Sequence, residues 1–242
     1  MEERNMKSKE KVVGVLGGMG PEATSDFFLK VIRATPATTD QEHLQILINN
    51  NPKIFDRTAA IFGRGTSPLQ MLIESARVLE TAGADFIVIP CVTAHYFHGP
   101  LQKEINIPIL HIAEETINYL AEKYPEVKTV GVLATTGTLK ANIFESFCAK
   151  FGISVIKPAE DIQTSKVAEA LYGCDGIKAK GPCDSSRKLM REAAQTLIER
   201  GAQAVIAGCT EVPLVLKDGD ISVPVLDTLG ILAASTVAFA KS

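Results

Sequence analysis

The 242-residue sequence lacks several features that would each point to a particular class of protein. It has no long apolar run near its start, because the segment Val12 to Leu16 is too short for a signal-peptide core or a membrane span. It has no excess of positive charge, since the formal net charge is −3, and a nucleic-acid-binding face is therefore not indicated. We expect a cytoplasmic protein with neither a nucleic-acid nor a membrane partner.

The sequence also lacks paired cysteines. Its five cysteines form an odd number, and no two of them make a C-x-x-C pair. This spacing suggests neither a disulfide framework nor a zinc knuckle, and we expect no metal site. Cys148 lies on a helical pattern and is interpreted as a core residue, whereas Cys174 and Cys183 lie in a loop and receive no role. Cys91 and Cys209 need a separate explanation.

What the sequence does contain is an internal repeat with a spacing of about 117 residues. Three segments of the first half recur in the same order in the second half, pairing 11–20 with 128–137, 79–93 with 198–210, and 105–110 with 221–226. Three matches in one order at nearly one spacing are hard to attribute to chance. The repeat therefore predicts two similar structural units.

Within each half, short runs of Val, Ile and Leu alternate with helical patterns such as Leu69 to Thr81 and Arg187 to Arg200. Such runs are typical of parallel strands that helices cover on both faces. The predicted fold class is therefore α/β, with two similar doubly wound parallel-sheet domains related by a pseudo-twofold axis and an active site in the cleft between them. We place the first domain at residues 1–110, joined by a C-terminal helix at about 227–242, and the second at 111–226.

The stretch FIVIPCVTAH ends an apparently buried strand with a thiol, and the simplest explanation is a cysteine that only fills the core. The repeat weakens that explanation, because Cys91 and Cys209 stand at equivalent strand ends, where sheets of this class bind ligands. Two thiols on opposite faces of one carbon could remove a proton from one side and return one to the other. Thr93, Ala94 and Thr210 could offer N–H groups and hydroxyls to a carboxylate.

Five motifs in order resemble the aspartate/glutamate racemase family, closest to the cofactor-independent aspartate racemases. They are GGMGP at 17–21, NNPKIFDR at 50–57, PCVTAH at 90–95, ATTGT at 134–138 and GCTE at 208–211. The resemblance covers about Val12 to Leu226. It implies a two-domain α/β enzyme, usually a homodimer, that racemises a small acidic amino acid without a cofactor. By the family pattern, Cys91 and Cys209 are the two proton-transferring groups.

The same resemblance implies which residues bind the substrate. Arg57 and Lys178 match the family's carboxylate binders, although each would otherwise be interpreted as a solvated surface charge. The other implied substrate-binding residues are Met19, Asn51, Val92, Thr93, Ala94, Thr135, Thr136, Thr138 and Thr210. Val92 departs from the family motif, which usually has Asn there, and an amide that could donate to a substrate carboxylate is lost.

Other interpretations of the same residues stay open. The loop 18–23 also fits G-x-G-x-x-A, the dinucleotide fingerprint, with Asp40 and Glu42 near the distance of the acid that it requires. The change at Val92 fits glutamate or a broader range of acidic amino acids, or the isomerisation or decarboxylation of another small dicarboxylic acid. A binding protein for a dicarboxylate, without catalysis, is the interpretation from a different class.

Three neighbours of the cysteines have structural alternatives. His95 and His98 follow the first cysteine, and we expect both to have a structural role at a helix start. Glu211 follows the second cysteine, and it either orients the thiol of Cys209 or caps the next turn. The apolar C-terminal stretch Leu229 to Ala240 could pack within the chain or across a dimer interface.

Overall fold

The computed structural model describes residues 10–242, in which seven strands alternate with helices. The strands are β1 (Val13–Gly17), β2 (Ile46–Asn50), β3 (Phe86–Val88), β4 (Thr129–Leu133), β5 (Ser154–Ile156), β6 (Ala204–Ala207) and β7 (Val225–Asp227). The helices are α1 (Pro21–Ala34), α2 (Arg57–Ile61), α3 (Leu69–Thr81), α4 (His98–Gln102), α5 (Ile112–Lys123), α6 (Thr136–Lys140), α7 (Glu145–Lys150), α8 (Glu160–Ile162), α9 (Glu169–Tyr172), α10 (Ile177–Lys180), α11 (Asp184–Glu199) and α12 (Thr228–Ala240). Three 3-10 helices, at Asp40–Glu42, Val92–Phe97 and Val212–Leu214, and a π-helical segment at Gln163–Ala168 complete the description.

The strands form two parallel sheets with the same internal order. The first sheet runs β2-β1-β3 and the second runs β5-β4-β6-β7. The segment 105–110 of the first half, which matches 221–226 in the repeat, forms only one bridge, between Ile87 and Ile109. It stops there because His111 already caps α5. The two halves thus repeat one topology, and the predicted α/β fold is confirmed.

Strict alternation along the strands places both faces of each sheet in apolar cores. Val13, Val15 and Phe86 point to one side of the first sheet, and Val130 and Ile206 point to the same core from the second. The alternate residues of each sheet face separate cores. Those of the first sheet are Leu16 and Ile87, joined by Ile89 just after β3, and those of the second are Leu133, Val205 and Ala207. Burial on both faces explains why these runs read as continuous apolar sequence.

The shared core is completed by α1, α5 and α12. The C-terminal helix α12 packs against α1 of the first half and against α5, and it buries Leu229, Leu232 and Val237. The apolar stretch Leu229 to Ala240 is therefore covered within the chain on the face that meets α1 and α5. The division of the chain at residue 110 stays a prediction, and residues 1–9 of the first predicted domain lie outside the described residues. In residues 10–242, no helix has the length and apolar character that a membrane crossing requires.

Two glycines allow backbone segments next to the cleft to approach closely. Gly18 has a φ of +94°, and a Cβ there would lie 2.4 Å from the carbonyl carbon of Asn51. A Cβ on Gly137 would lie 2.5 Å from Oγ1 of Thr58, where α6 of the second half meets α2 of the first. Larger residues at these positions would separate the loops that bound the cleft.

We predict that Ile117→Ala destabilises the fold, because Ile117 is fully buried on α5 in the shared core. The loss in free energy of unfolding should be about 2–5 kcal/mol, as for other buried aliphatic residues cut back to alanine. Urea denaturation followed by circular dichroism measures it. Glu122→Ala on the exposed face of the same helix is the control and should change the free energy by less than about 0.5 kcal/mol. Equal effects of the two changes would contradict a shared core at α5.

Candidate active site

The carboxyl ends of the strands from both sheets border one cavity of about 290 Å³. This volume is at the lower end for small-molecule sites and is suited to a molecule the size of an amino acid. Loops that follow β1, β2 and β3 line one side, and loops that follow β4 and β6 line the other. The cleft therefore lies where the two repeated units meet.

Most of the residues that the sequence singled out line this cavity. Those present are Met19, Arg57, Cys91, Val92, Thr93, Thr135, Lys178, Cys209 and Thr210. Four others are close in sequence but do not line it, namely Asn51, Ala94, Thr136 and Thr138. Both cysteines are nearly buried, with exposed fractions of 6% for Cys91 and 5% for Cys209.

The four remaining residues have local roles in the structure. The Asn51 amide donates to Oγ of Ser75 at 3.3 Å, and its carbonyl accepts from the backbone N–H of Lys53 at 3.1 Å. Ala94 is fully buried in the core of the first half. Thr136 is exposed, whereas Thr138 is buried behind the cavity wall. Their predicted contact with a substrate stays a prediction.

Three threonine hydroxyls join the two halves beside the cavity. Oγ1 of Thr93, from the first half, lies 3.0 Å from that of Thr135 and 2.8 Å from that of Thr138, both from the second. The last two hydroxyls are 3.0 Å apart. Each buried hydroxyl is thus hydrogen-bonded, and these bonds offset the free-energy cost of removing it from water. The cluster fixes the residue after Val92 against the wall of the opposite half.

His95 anchors the backbone of Cys91 from behind the cavity. Its Nδ1 lies 3.0 Å from the carbonyl oxygen of Cys91, and its Nε2 accepts from the backbone N–H of Ile112 at 3.2 Å. This pattern requires the neutral ring with the proton on Nδ1. Burial, reinforced by the nearby His98, lowers the pKa of His95 to about 4, so it stays neutral near pH 7. The expected structural role of His95 is consistent with this geometry.

His98 and His111 extend this layer. Nε2 of His98 lies 2.8 Å from the carbonyl oxygen of Ile109, and the backbone N–H of Ala113 donates to Nδ1 of His111 at 3.3 Å. Burial, together with His95 and His98, lowers the pKa of His111 to about 2. These rings support the turn between β3 and α5 and do not line the cavity.

Cys209 has a charged neighbour inside the cavity wall. Its thiol donates to Oε2 of Glu211 at 2.9 Å, and the Thr210 hydroxyl donates to the same oxygen at 3.2 Å. The other carboxylate oxygen of Glu211 forms an ion pair with the ammonium of Lys178, on α10. Of the two roles left open for Glu211, the orientation of the Cys209 thiol matches the geometry.

The charges of this network shift the pKa values in opposite directions. Burial first, and then the Glu211 carboxylate, raise the pKa of the Cys209 thiol well above its usual value. Burial would also raise the pKa of Glu211, but the Lys178 ammonium and hydrogen bonds from Cys209, Lys178 and Thr210 outweigh it and lower the pKa. At neutral pH this side of the cavity therefore holds a thiol beside a carboxylate.

Arg57 lines the cavity and is held in place by its own segment. It begins α2, which Asp56 caps by accepting from the backbone N–H of Ala59 at 2.5 Å. Its Nη1 donates to the carbonyl oxygens of Ile54 at 3.1 Å and Phe55 at 3.0 Å, which fixes the guanidinium. Its Nε is buried and has no hydrogen-bond partner among residues 10–242. Because this nitrogen is out of reach of solvent, a carboxylate in the cavity would bind the outer nitrogens of the guanidinium.

The sequence did not single out every residue of the cavity wall. Tyr172 at the end of α9 lines it, and the Lys178 ammonium lies 5.9 Å from the centre of its ring. Asp56 and Glu22 add carboxylates from the first half. Asp56 belongs to the motif NNPKIFDR at 50–57, and its place directly before Arg57 could have identified it as a residue of the cavity wall. Tyr172 precedes a loop with no counterpart in the first half, so the repeat could not identify it.

The dinucleotide interpretation of the first loop does not fit. Gly18 to Glu22 do line the cavity. The acid required for a ribose, however, belongs at the carboxyl end of β2, which ends at Asn50. The Glu42 carboxylate is taken up by the backbone N–H groups of Thr38 and Thr39, at 2.5 Å and 3.3 Å. Within the part of the chain that the structure describes, no cluster of three or more His, Cys, Asp or Glu could hold a metal ion.

Comparison with known proteins agrees with the motifs and the fold. Residues 16–236 match the Asp/Glu/Hydantoin racemase family. The chain is 30% identical over 230 residues to the broad specificity amino-acid racemase RacX of Bacillus subtilis, covering 93% of this chain and 96% of that one. An aspartate racemase of Picrophilus torridus superposes with a TM-score of 0.80 at 28% identity, covering 95% and 94%. An aspartate racemase homologue of Pyrococcus horikoshii superposes with a TM-score of 0.73 at 26% identity, over 96% of this chain and 100% of that one.

We predict that Glu211→Gln lowers the pKa of the Cys209 thiol. The change removes the negative charge that raises this pKa and leaves the Lys178 ammonium, which lowers it. Alkylation of Cys209 by iodoacetamide, measured by peptide mass spectrometry over a range of pH, should then become rapid at lower pH than in the unchanged protein. Glu22→Gln removes a charge from the same cavity without touching Cys209 and should leave the profile unaltered. An unchanged or raised midpoint in Glu211→Gln would contradict the network.

Proposed function

Because the chain belongs to the Asp/Glu/Hydantoin racemase family, we propose that it is a cofactor-independent amino-acid racemase that interconverts L- and D-aspartate. Cys91 and Cys209 act in this proposal as two bases on opposite faces of Cα. The observation that carries it is the position of both thiols in one amino-acid-sized cavity, each at the end of the equivalent strand of its half.

The two thiols enter the reaction in different states. Cys209 rests as a thiol, because burial and the Glu211 carboxylate raise its pKa, and it donates a proton to Cα. Cys91 takes the proton from the other face in the same direction of reaction. The roles are exchanged in the reverse direction, so the enzyme must pass between two protonation states. Glu211 accepts from the Cys209 thiol at 2.9 Å and holds its sulfur in place in the resting state. The S–H leaves this hydrogen bond when it delivers its proton to Cα.

The substrate carboxylates bind the donors that line the two walls. The guanidinium of Arg57, which lines the cavity, provides charge-assisted hydrogen bonds to one of them. Thr93 and Thr210, which follow the cysteines, donate backbone N–H groups to the α-carboxylate as charge moves onto it from Cα, because their hydroxyls already have partners. Lys178 lies on the opposite side from Arg57 and is the second cation of the cavity. A dicarboxylate such as aspartate would thus be held at both ends.

A second candidate is a racemase of broader specificity, and two observations favour it. The side chain of Val92 is 1% exposed and packs into the shared apolar core, so it contributes no polar contact where the family motif has an amide. The cavity wall also carries three carboxylates, of Glu22, Asp56 and Glu211, against two cations. This balance favours an amino acid without a second carboxylate. The similar racemase of Bacillus subtilis is itself described as one of broad specificity.

We predict that Cys91→Ala and Cys209→Ala each abolish racemisation. Loss of a general acid or base lowers the rate by about 10²–10⁴-fold, and each variant should still exchange the α-proton of one enantiomer only. Incubation with L- or D-aspartate in D₂O, without pyridoxal phosphate, followed by chiral chromatography and mass spectrometry, measures both reactions. Cys174→Ser, at an exposed cysteine outside the cavity, should retain activity. A protein that binds aspartate without any exchange at Cα would be a binding protein instead.

The substrate range separates the two candidates. For an aspartate racemase, exchange at Cα should be much faster with aspartate than with glutamate, alanine or methionine. We predict that Val92→Asn raises kcat/KM for aspartate relative to alanine by about 10- to 100-fold, because Val92 borders the cavity as well as the core and a hydrogen bond to a charged group contributes about 1.5–3 kcal/mol. Val92→Ala trims the side chain without adding an amide and should not change this ratio. Comparable rates with all four amino acids in the unchanged protein would favour the second candidate.

A further inference from the structure

The segment that carries Lys178 contains two cysteines that the proposed chemistry does not use. It connects α9 to α11, and Cys174 and Cys183 lie near its two ends. Cys174 is exposed and Cys183 is partly exposed, whereas Cys91, Cys148 and Cys209 are buried. These two thiols are thus the accessible ones among the described residues.

The fold of this segment brings its two ends together. Gly176 donates its N–H to the carbonyl oxygen of Gly173 at 2.8 Å, which closes a tight turn over Cys174 and Asp175. The Cys183 thiol lies 3.4 Å from the carbonyl oxygen of Asp175, the residue directly after Cys174. The Asp175 carboxylate also forms a 2.6 Å ion pair with Lys180. The Cys183 sulfur is therefore already in contact with the turn that contains Cys174.

Cys183 occupies a position that stabilises a thiolate. It is the N-cap of the 16-residue helix α11, and the backbone N–H of Ser186 donates to its sulfur at 3.5 Å. The Ser186 side chain lies at the same distance from the sulfur. Hydrogen bonds from the side chain and then the backbone of Ser186 lower the pKa of Cys183. Partial exposure, contact with a neighbouring turn and a lowered pKa together mark a reactive cysteine.

We propose that Cys183 is a thiol-modification site that reacts with a low-molecular-weight disulfide and then forms an internal disulfide with Cys174. The Cys183 thiolate attacks one sulfur of the small disulfide, forms a mixed disulfide and releases one thiolate. Cys174 then loses its proton to solvent, and its thiolate attacks the Cys183 sulfur and releases the second small thiolate. The two cysteine thiols are oxidised by two electrons, and the small disulfide is reduced to two thiols.

The disulfide would close a ring that contains Lys178. Residues 174–183 would be tied into one loop that includes α10 and Lys178, the residue that pairs with Glu211 across the cavity wall. Because Lys178 lines the cavity, a tied loop restricts the opening through which a substrate enters. This consequence for catalysis rests on the proposed racemase function, whereas formation of the disulfide does not. We expect oxidation to slow exchange at Cα by about tenfold or more, as closure of a loop over a site controls turnover in many enzymes.

The test begins with the modification itself. The full-length protein is incubated with oxidised glutathione, and the products are identified by intact mass and peptide mapping. We expect a loss of two hydrogens and a crosslinked peptide pair that contains residues 174 and 183. Cys174→Ser should stop at a glutathione adduct on Cys183, whereas Cys183→Ser should react far more slowly, although its serine still caps α11. Equal reactivity of the two variants, or crosslinks to other cysteines in preference, would overturn the proposal.

Activity is measured separately on the same samples. Exchange at Cα should fall on oxidation of the unchanged protein, recover with dithiothreitol, and stay unaffected in Cys183→Ser. A crosslink without any change in exchange would overturn the effect on the Lys178 loop. If no amino acid is exchanged by the reduced protein, the racemase function fails, and the crosslink between 174 and 183 is still decided by its mass.

Discussion

The structure depends on one shared apolar core that both sheets face. Val13 and Val15 of β1 and Val130 and Val132 of β4 belong to the same buried cluster, and α1, α5 and α12 complete it. At about 25 cal/mol per Å² of apolar surface, this burial is the main favourable contribution to holding the halves together. It also sets their relative orientation, because a closely packed interior tolerates little sliding. Two separate cores, each closed within its half, would leave the strand ends free to drift apart.

Polar contacts then refine what the core positions. The hydroxyls of Thr93, Thr135 and Thr138 meet across the junction, and a hydroxyl that lost its partners there would cost about 1–3 kcal/mol. His95 holds the carbonyl oxygen of Cys91 from the opposite side. Cys91 is thus fixed by neutral groups, because His95 holds its backbone carbonyl and the threonine hydroxyls hold Thr93, two residues further on. The second cysteine is fixed through its own sulfur, by the charged Glu211.

The internal repeat explains how much could be predicted from the sequence. Equivalent strands bring equivalent loops to equivalent edges, so the α/β fold followed from spacing and apolar pattern. The meeting of Cys91 with Cys209 at one cavity needed the further assumption that the two units pack about a pseudo-twofold axis. The repeat could not indicate Tyr172 or the pairing of Lys178 with Glu211, because the loop after α9 has no counterpart in the first half. Nor could a motif show whether Asn51 or Thr138 would face the cavity, since that depends on one rotation of the backbone and on partners distant in sequence.

The difference between the two cysteine environments is the chemical consequence of an imperfect repeat. A symmetric pair of thiols would have equal affinities for a proton, and either face of Cα would be served by the same group. Here the Glu211 carboxylate contacts only one thiol of the pair, that of Cys209. Its charge is balanced by Lys178, from a loop that the first half lacks. When that ammonium moves away, the carboxylate remains buried without its cation and its pKa must rise, because burial is the largest influence on it. The position of the Lys178 loop and the proton affinity of Cys209 are therefore linked. In the proposed racemase, a substrate carboxylate that competed for Lys178 would change both at once.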